Sequence, residues 1–380
     1  MINMENKDKK IRIVSFQNAH NFGAVCQAYG LQQTLLGLGY KDVLFINYNP
    51  QYLKDRYNPL NTWQNLNLNT SFLRKISRVL RWCSFVLTTW MRNRRIEQSI
   101  KRMLRQTPHE LMSAEEVANE ETDILICGSD QIWNTALTSS LDPVFFGQAK
   151  PESYEKLLSY APSTEISALR EDTIRLIAEY LKSFSAVSVR EESVKNKLQP
   201  FVSFPMEVTV DPTILCGQTA YDKIASNRIV KKPYICVYAY TPDEELVRDI
   251  IRTIPNYTQY EVHYILFSAT NLSQWGDKSV HSAISVEEFL SYIKYASYVV
   301  TNSFHGLAFS LLFEKNFNVT WINNKSTRTE ALLQKLHLNS RMVKDAEKAN
   351  WTNVDYQQVN KSLDEIRKES IDFLLNSIND

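Results

Sequence analysis

Glycine is scarce in this chain, with 9 in 380 residues. No GxxxxGK[ST], GxGxxG or GxSxG stretch occurs, and no HExxH. That removes nucleotide hydrolysis on a phosphate loop, the standard dinucleotide turn, the hydrolase elbow and the zincin site. Cysteine is also little used. Cys26, Cys83, Cys127, Cys216 and Cys236 contain no CxxC pair and no close His partner, so no metal site is expected and a reducing compartment fits best. An excess of one charge is missing too: Lys+Arg 43 against Asp+Glu 42 gives a net charge of +1, which argues against a general nucleic-acid binder. Nowhere do about 18 apolar residues follow one another, and the polar residues 1–10 stand where a secretory leader would need an apolar run. A cytoplasmic protein without a membrane span is expected.

What is present is enough for a full core. Hydrophobic residues make up 44% and aromatic residues 11%, and length alone suggests two domains. The β-branched run 12–16 precedes a turn-rich stretch and then Val25, Ala28, Leu31, Leu35 and Leu38 at helical spacing, ended by Gly39. A strand at 42–46 completes a βαβ opening, which predicts a parallel sheet with ligands at the carboxyl ends of its strands. Further strands are expected at 123–127, 186–189 and 207–210. A second alternating set is expected at 234–238, 263–267, 298–300 and 317–320. The polar stretch 226–233 marks the domain boundary: 1–225 form the first domain, 226–350 the second, and 351–380 a terminal helix that packs back on the first.

Residues 71–106, read as an insertion in the first domain, carry ten basic residues against the single acid Glu97. The apolar centre from Trp82 to Trp90 gives this helix the make-up of a segment that lies on an anionic membrane surface. The plainer reading is a solvated helix packed on its own domain.

Three polar stretches look built for chemistry. Asn18, Asn21 and Gly23 lie in the loop after the first strand, where a helix N-terminus suits an anion or simply caps the helix. Ser129, Asp130, Gln131, Trp133 and Asn134 follow the strand DILIC and offer a carboxylate, amides and an indole to a hydroxyl-rich ligand such as a sugar. Ser303, His305 and Gly306 lie between the strand YVV and an apolar helix, where amides can hold a phosphate and an imidazole can exchange a proton.

Taken together, NFGAVCQAYGLQQTLLGLGY, ICGSDQIWN, AVSVREESV, VDPTIL, EEFLSYIKYASYVVTNSFHGLAFSLLF and RTEALLQKL resemble the polysaccharide pyruvyl transferase family over about residues 11–341. The resemblance implies an α/β fold of two Rossmann-like domains facing a cleft, similar to GT-B glycosyltransferases. It also implies transfer of pyruvate from phosphoenolpyruvate to a saccharide as a ketal in surface polysaccharide biosynthesis. The acceptor would be free or polyprenyl-diphosphate-linked, and phosphoenolpyruvate would be a co-substrate rather than a cofactor. With the basic helix 71–106 added, the expected location is cytoplasmic, peripheral on the inner face of the membrane. By family position His305 is the general acid and Arg190 the anion clamp, with Asp130 orienting or deprotonating the acceptor hydroxyl. Some members carry Arg where this chain has Ser303, so Arg190 or Arg328 would supply the missing charge. Two other classes remain open: a GT-B-type glycosyltransferase using a nucleotide sugar, and a non-catalytic glycan-binding scaffold.

Overall fold

A computed structural model describes residues 7–65, 71–165, 169–240, 243–266, 279–321 and 327–379. Its strands are short and apolar, as parallel strands covered on both faces must be. Ile124–Cys127 and Tyr234–Ala239 are buried at every position. The first sheet holds β1 (Lys10–Val14), β2 (Asp42–Phe45), β3 (Ile124–Cys127), β4 (Lys156–Ser159), β5 (Ala186–Val189) and β6 (Glu207–Val208) in the order β2-β1-β3-β4-β5-β6, all parallel. The second holds β7 (Tyr234–Ala239), β8 (Glu261–Leu266), β9 (Val280–His281), β10 (Tyr298–Thr301), β11 (Asn316–Thr320) and β12 (Met342–Val343) in the order β12-β11-β10-β7-β8-β9, also all parallel. In each sheet the direction of winding reverses once, between β1 and β3 and between β7 and β10. Such switch points open a crevice at the strand carboxyl ends.

The expected strands are present within a few residues, apart from Phe267, which lies outside the described residues. Three strands escaped the pattern. β9 and β12 are two-residue edge pieces, and β4 is the four-residue run KLLS.

The chain divides into two units: Met1–Lys54, Ile100–Ala220 and Lys361–Asp380 form one, and Asp55–Ser99 with Tyr221–Asn360 form the other. The basic helix, expected in the first domain, therefore has most of its length in the second. The long helix Phe72–Met103 reaches this grouping through polar contacts. Arg95 Nη2 pairs with Glu288 Oε1 at 2.7 Å, Arg95 Nη1 donates to the Ala283 carbonyl at 3.0 Å, and Ser99 Oγ donates to Glu287 Oε2 at 2.6 Å. Arg92 is half-buried, and burial lowers its pKa below the ordinary guanidinium value, partly offset by Tyr57 and Tyr238. Trp82 is also engaged, its ring edge-on to Trp63 at 4.7 Å and its indole N–H bonded to Thr62 Oγ1 at 3.0 Å. Arg92, Arg95 and Trp82 are thus committed to the protein, and the membrane-facing reading of those three residues is corrected.

Within the first unit, the part of the carboxyl-terminal helix Tyr356–Asn379 from Lys361 onward is tied by Arg367 Nε to the Ile214 carbonyl at 2.7 Å and by Ser370 Oγ to the Val210 amide at 2.9 Å. Among the described residues no helix is long and apolar enough to cross a membrane.

Candidate functional site

Two loops leave the switch point of the first sheet, one after β1 and one after β3. They are pinned to each other: Ser15 Oγ donates to the Ser129 carbonyl at 2.8 Å, and Gln27 Nε2 donates to Ser15 Oγ at 3.1 Å. The first loop ends at Asn21, whose side chain accepts from the amides of Gly23 and Ala24 and so caps the helix Phe22–Gly37. Asn18 is a bracket, donating to Asn47 Oδ1 at 3.0 Å and to the Tyr48 carbonyl at 3.2 Å while accepting from Gln106 at 2.9 Å.

The second loop begins at Gly128, which has φ +137°; a Cβ there would stand 2.1 Å from the Tyr160 carbonyl oxygen. Only glycine lets the strand turn so close to its neighbour. Ser129 is fully buried, donating to the Ala161 carbonyl at 2.9 Å and accepting from Arg190 Nη2. Asn134 caps the short helix Thr135–Thr138 and donates to Gln131 Oε1 at 2.7 Å. Trp133, expected to face a sugar, is 0% exposed and stacked on Phe146 with centroids 5.2 Å apart. It is a core plug, because the apolar floor beneath the loop is where the indole loses most water-exposed area. Asp130 and Gln131 remain half-buried at the loop tip, with Asn18, His20 and Asn21 likewise half-buried in the first loop.

Arg190 requires the largest correction. It was expected to clamp a donor anion, yet Arg190 Nη1 pairs with Asp211 Oδ2 at 2.7 Å, the two side chains being 4% and 0% exposed. The guanidinium is spent on holding Ser129 and balancing Asp211 rather than offered to a ligand. Asp211 was missed as a partner. Its other role was readable, since Asp before Pro212 is a helix-start signature and its side chain accepts from the Thr213 amide at 2.7 Å.

In the second unit the switch point carries residues 301–306. Thr301 Oγ1 donates to the Tyr238 carbonyl at 2.6 Å and accepts from the Ser303 amide at 3.1 Å, while Asn302 Oδ1 accepts from the Tyr240 amide at 2.8 Å. These bonds fix the start of the helix Phe304–Leu312, with His305 in its first turn, 7% exposed and edge-on to Phe304 at 5.5 Å. Ser303 is the N-cap residue but makes no side-chain capping bond, unlike Ser113 and Ser285, each of which closes a capping box on its own helix. The hydroxyl of Ser303 therefore does not occupy the first amides of that helix, the groups that suit an anion. Arg328 stands half-buried in the helix Thr327–Lys335 of the same unit.

Gly306 lets that helix approach the sheet, for a Cβ there would fall 2.0 Å from Thr301 Oγ1 and 3.0 Å from the Tyr238 ring. Thr301 is held by its own hydrogen bond and cannot swing aside. Gly306→Ala is expected to destabilise the protein by about 1–3 kcal/mol through overpacking. Urea denaturation measures this, and an unchanged midpoint would mean that the helix can shift freely.

One histidine pair went unseen because its members are far apart in sequence. His263 Nδ1 and His281 Nε2 are 2.8 Å apart on β8 and β9, and burial, with the nearby His263, holds His281 down to about 4. Among the described residues no group of three or more His, Cys, Asp or Glu is placed to hold a metal ion.

A family model described as polysaccharide pyruvyl transferase matches residues 21–324. No curated relative matches the chain in sequence. Among solved structures, a UDP-N-acetylglucosamine 2-epimerase from Rickettsia bellii superposes with a TM-score of 0.52 at 10% identity, covering 98% of this chain and 97% of that one. The UDP-GlcNAc 2-epimerase from Neisseria meningitidis gives 0.46 at 10% identity, with 97% and 93% covered. The glycosyltransferase SnogD from Streptomyces nogalater gives 0.39 at 11% identity, with 96% and 95% covered. The likeness is one of fold: two Rossmann-like units of the GT-B type, each with a parallel six-stranded sheet.

Proposed function

The chain belongs to the polysaccharide pyruvyl transferase family, and from that premise we propose that it transfers pyruvate from phosphoenolpyruvate to a saccharide as a ketal, in surface polysaccharide assembly. The acceptor is a saccharide carrying two hydroxyls that one carbon can bridge, free or lipid-linked. The reading rests most on one observation: among the described residues at the second switch point, 303–306 joins an imidazole to a helix start that its own N-cap side chain, Ser303, does not cap.

The chemistry assigns each group a task. A proton delivered by His305 to the methylene carbon of phosphoenolpyruvate turns the adjacent carbon into an oxocarbenium-like centre. A sugar hydroxyl adds to that carbon and gives up its proton; the C–O bond to phosphate then breaks, and a second hydroxyl closes the ketal as its proton passes to the His305 imidazole, which the first step left neutral. Phosphate leaves with its bonding electron pair. In the absence of an arginine at position 303, amides at the start of the helix Phe304–Leu312 would receive the phosphate, with Arg328 the next arginine along the chain. Arg190 has no place in this step because Asp211 already balances it. Asp130 is assigned to the acceptor hydroxyl, since it is the half-buried carboxylate at the tip of the loop after β3.

The experiment is phosphate release from phosphoenolpyruvate over a panel of free and lipid-linked saccharides, with the carboxyethylidene mass increment sought on the acceptor. Release without that increment, or sugar transfer from a nucleotide sugar instead, would overturn the proposal. Within the same assay Asp130→Asn is expected to lower turnover on the order of 10²-fold while calorimetric affinity for phosphoenolpyruvate stays unchanged. Loss of donor affinity alone would move Asp130 to the donor.

A further inference from the structure

The amino-terminal part of the long helix Phe72–Met103 has an apolar stripe that the protein itself does not cover. Leu73, Ile76, Leu80, Leu87 and Met91 recur at i, i+3, i+7, i+14 and i+18, which places them on one face. Leu73 is 77% exposed, Leu80 65% and Leu87 59%. Trp90 continues the stripe, with Arg94 over its ring at 5.5 Å. The opposite face is the one that packs, as the buried Thr89, Asn93 and Ile96 show. A continuous exposed stripe of this kind marks an interaction surface, where scattered apolar residues would not.

Charge selects the partner. The exposed Arg74 and Arg81 border the stripe on one side and the exposed Arg94 follows it at its end, and residues 71–96 contain no acid at all. Two copies of such a helix would bring like charges together, whereas an anionic surface neutralises them. Long basic side chains beside an apolar face can also reach up to headgroups while the apolar residues sink below them. We infer that this face, residues 73–91, docks the protein on a bilayer rich in anionic phospholipid, the helix lying in the plane of the interface. The inference rests on this helix alone and stands whether or not the transferase reading does.

The test is co-sedimentation of the full chain with vesicles of phosphatidylglycerol and phosphatidylcholine, and with phosphatidylcholine alone. The protein is expected to pellet with the anionic vesicles only, less so as salt rises. Arg74→Gln/Arg81→Gln should weaken binding roughly fivefold for each charge removed. Leu73→Ser/Leu80→Ser/Leu87→Ser should abolish it, with the circular dichroism melting curve of both variants unchanged because these side chains are mostly exposed. Equal pelleting with neutral vesicles, or none with anionic ones, overturns the inference. So does a dimer in sedimentation equilibrium that the Leu→Ser variant dissolves in the absence of vesicle binding, which would give the stripe to a second copy of the chain.

Discussion

Replacement of His305 by Ala or Gln is expected to lower pyruvyl transfer by about 10²–10⁴-fold, the usual worth of a positioned general acid. The argument is one of placement. The imidazole stands in the first turn of the helix Phe304–Leu312, at the carboxyl end of β10, beside the point where the second sheet reverses its winding. The turn is fixed by bonds that involve Thr301, Asn302 and the Ser303 amide. His305→Gln should therefore keep the fold and the affinity for phosphoenolpyruvate while losing the proton. Because the residue is only 7% exposed, the melting temperature must be followed alongside turnover. Near-wild-type turnover removes His305 from the chemistry; loss of folding in both variants would show the ring to be a core residue instead.

The second large effect is on stability. Asp211→Ala should cost about 3–5 kcal/mol, because it leaves the Arg190 charge buried without its counter-ion. Both side chains are nearly or wholly excluded from water, at 4% and 0% exposed. The same change removes the acceptor for the Thr213 amide at the start of the helix Pro212–Leu215. Urea denaturation is the measurement. Arg190→Met/Asp211→Leu should recover much of the loss, since it removes both charges together. An Asp211→Ala protein within about 1 kcal/mol of wild type, the range of an exposed pair, would mean that water reaches the guanidinium.

Much of the fold was legible because the strands are apolar runs bounded by turns, and because βαβ alternation leaves few topologies open. The candidate site was legible in part. Residues 128–134 and 303–306 could be singled out because polar residues directly after a buried strand have no core to join. Which of them face a ligand was not legible. Trp133 and Asp130 stand three positions apart in one loop, yet one plugs the core and the other stays half-buried at its tip. Arg190 reads as an anion clamp when Asp211, 21 residues later, is not known to stand 2.7 Å away. The basic helix reads as uniformly charged until Arg92 and Arg95 are found turned inward and Arg74 and Arg81 outward.

The sequence by itself determined the local properties of this protein: its parallel strands, the helix caps, the family motifs and the absence of nucleotide and metal signatures. These follow from periodicity and neighbouring residue types, which act over a few positions of chain. Only the tertiary structure decided which polar groups are already satisfied, which aromatic rings are core, and which unit the basic helix joins. Those outcomes depend on pairs remote in sequence, and the desolvation and hydrogen bonding of a side chain are set by whatever the fold places beside it.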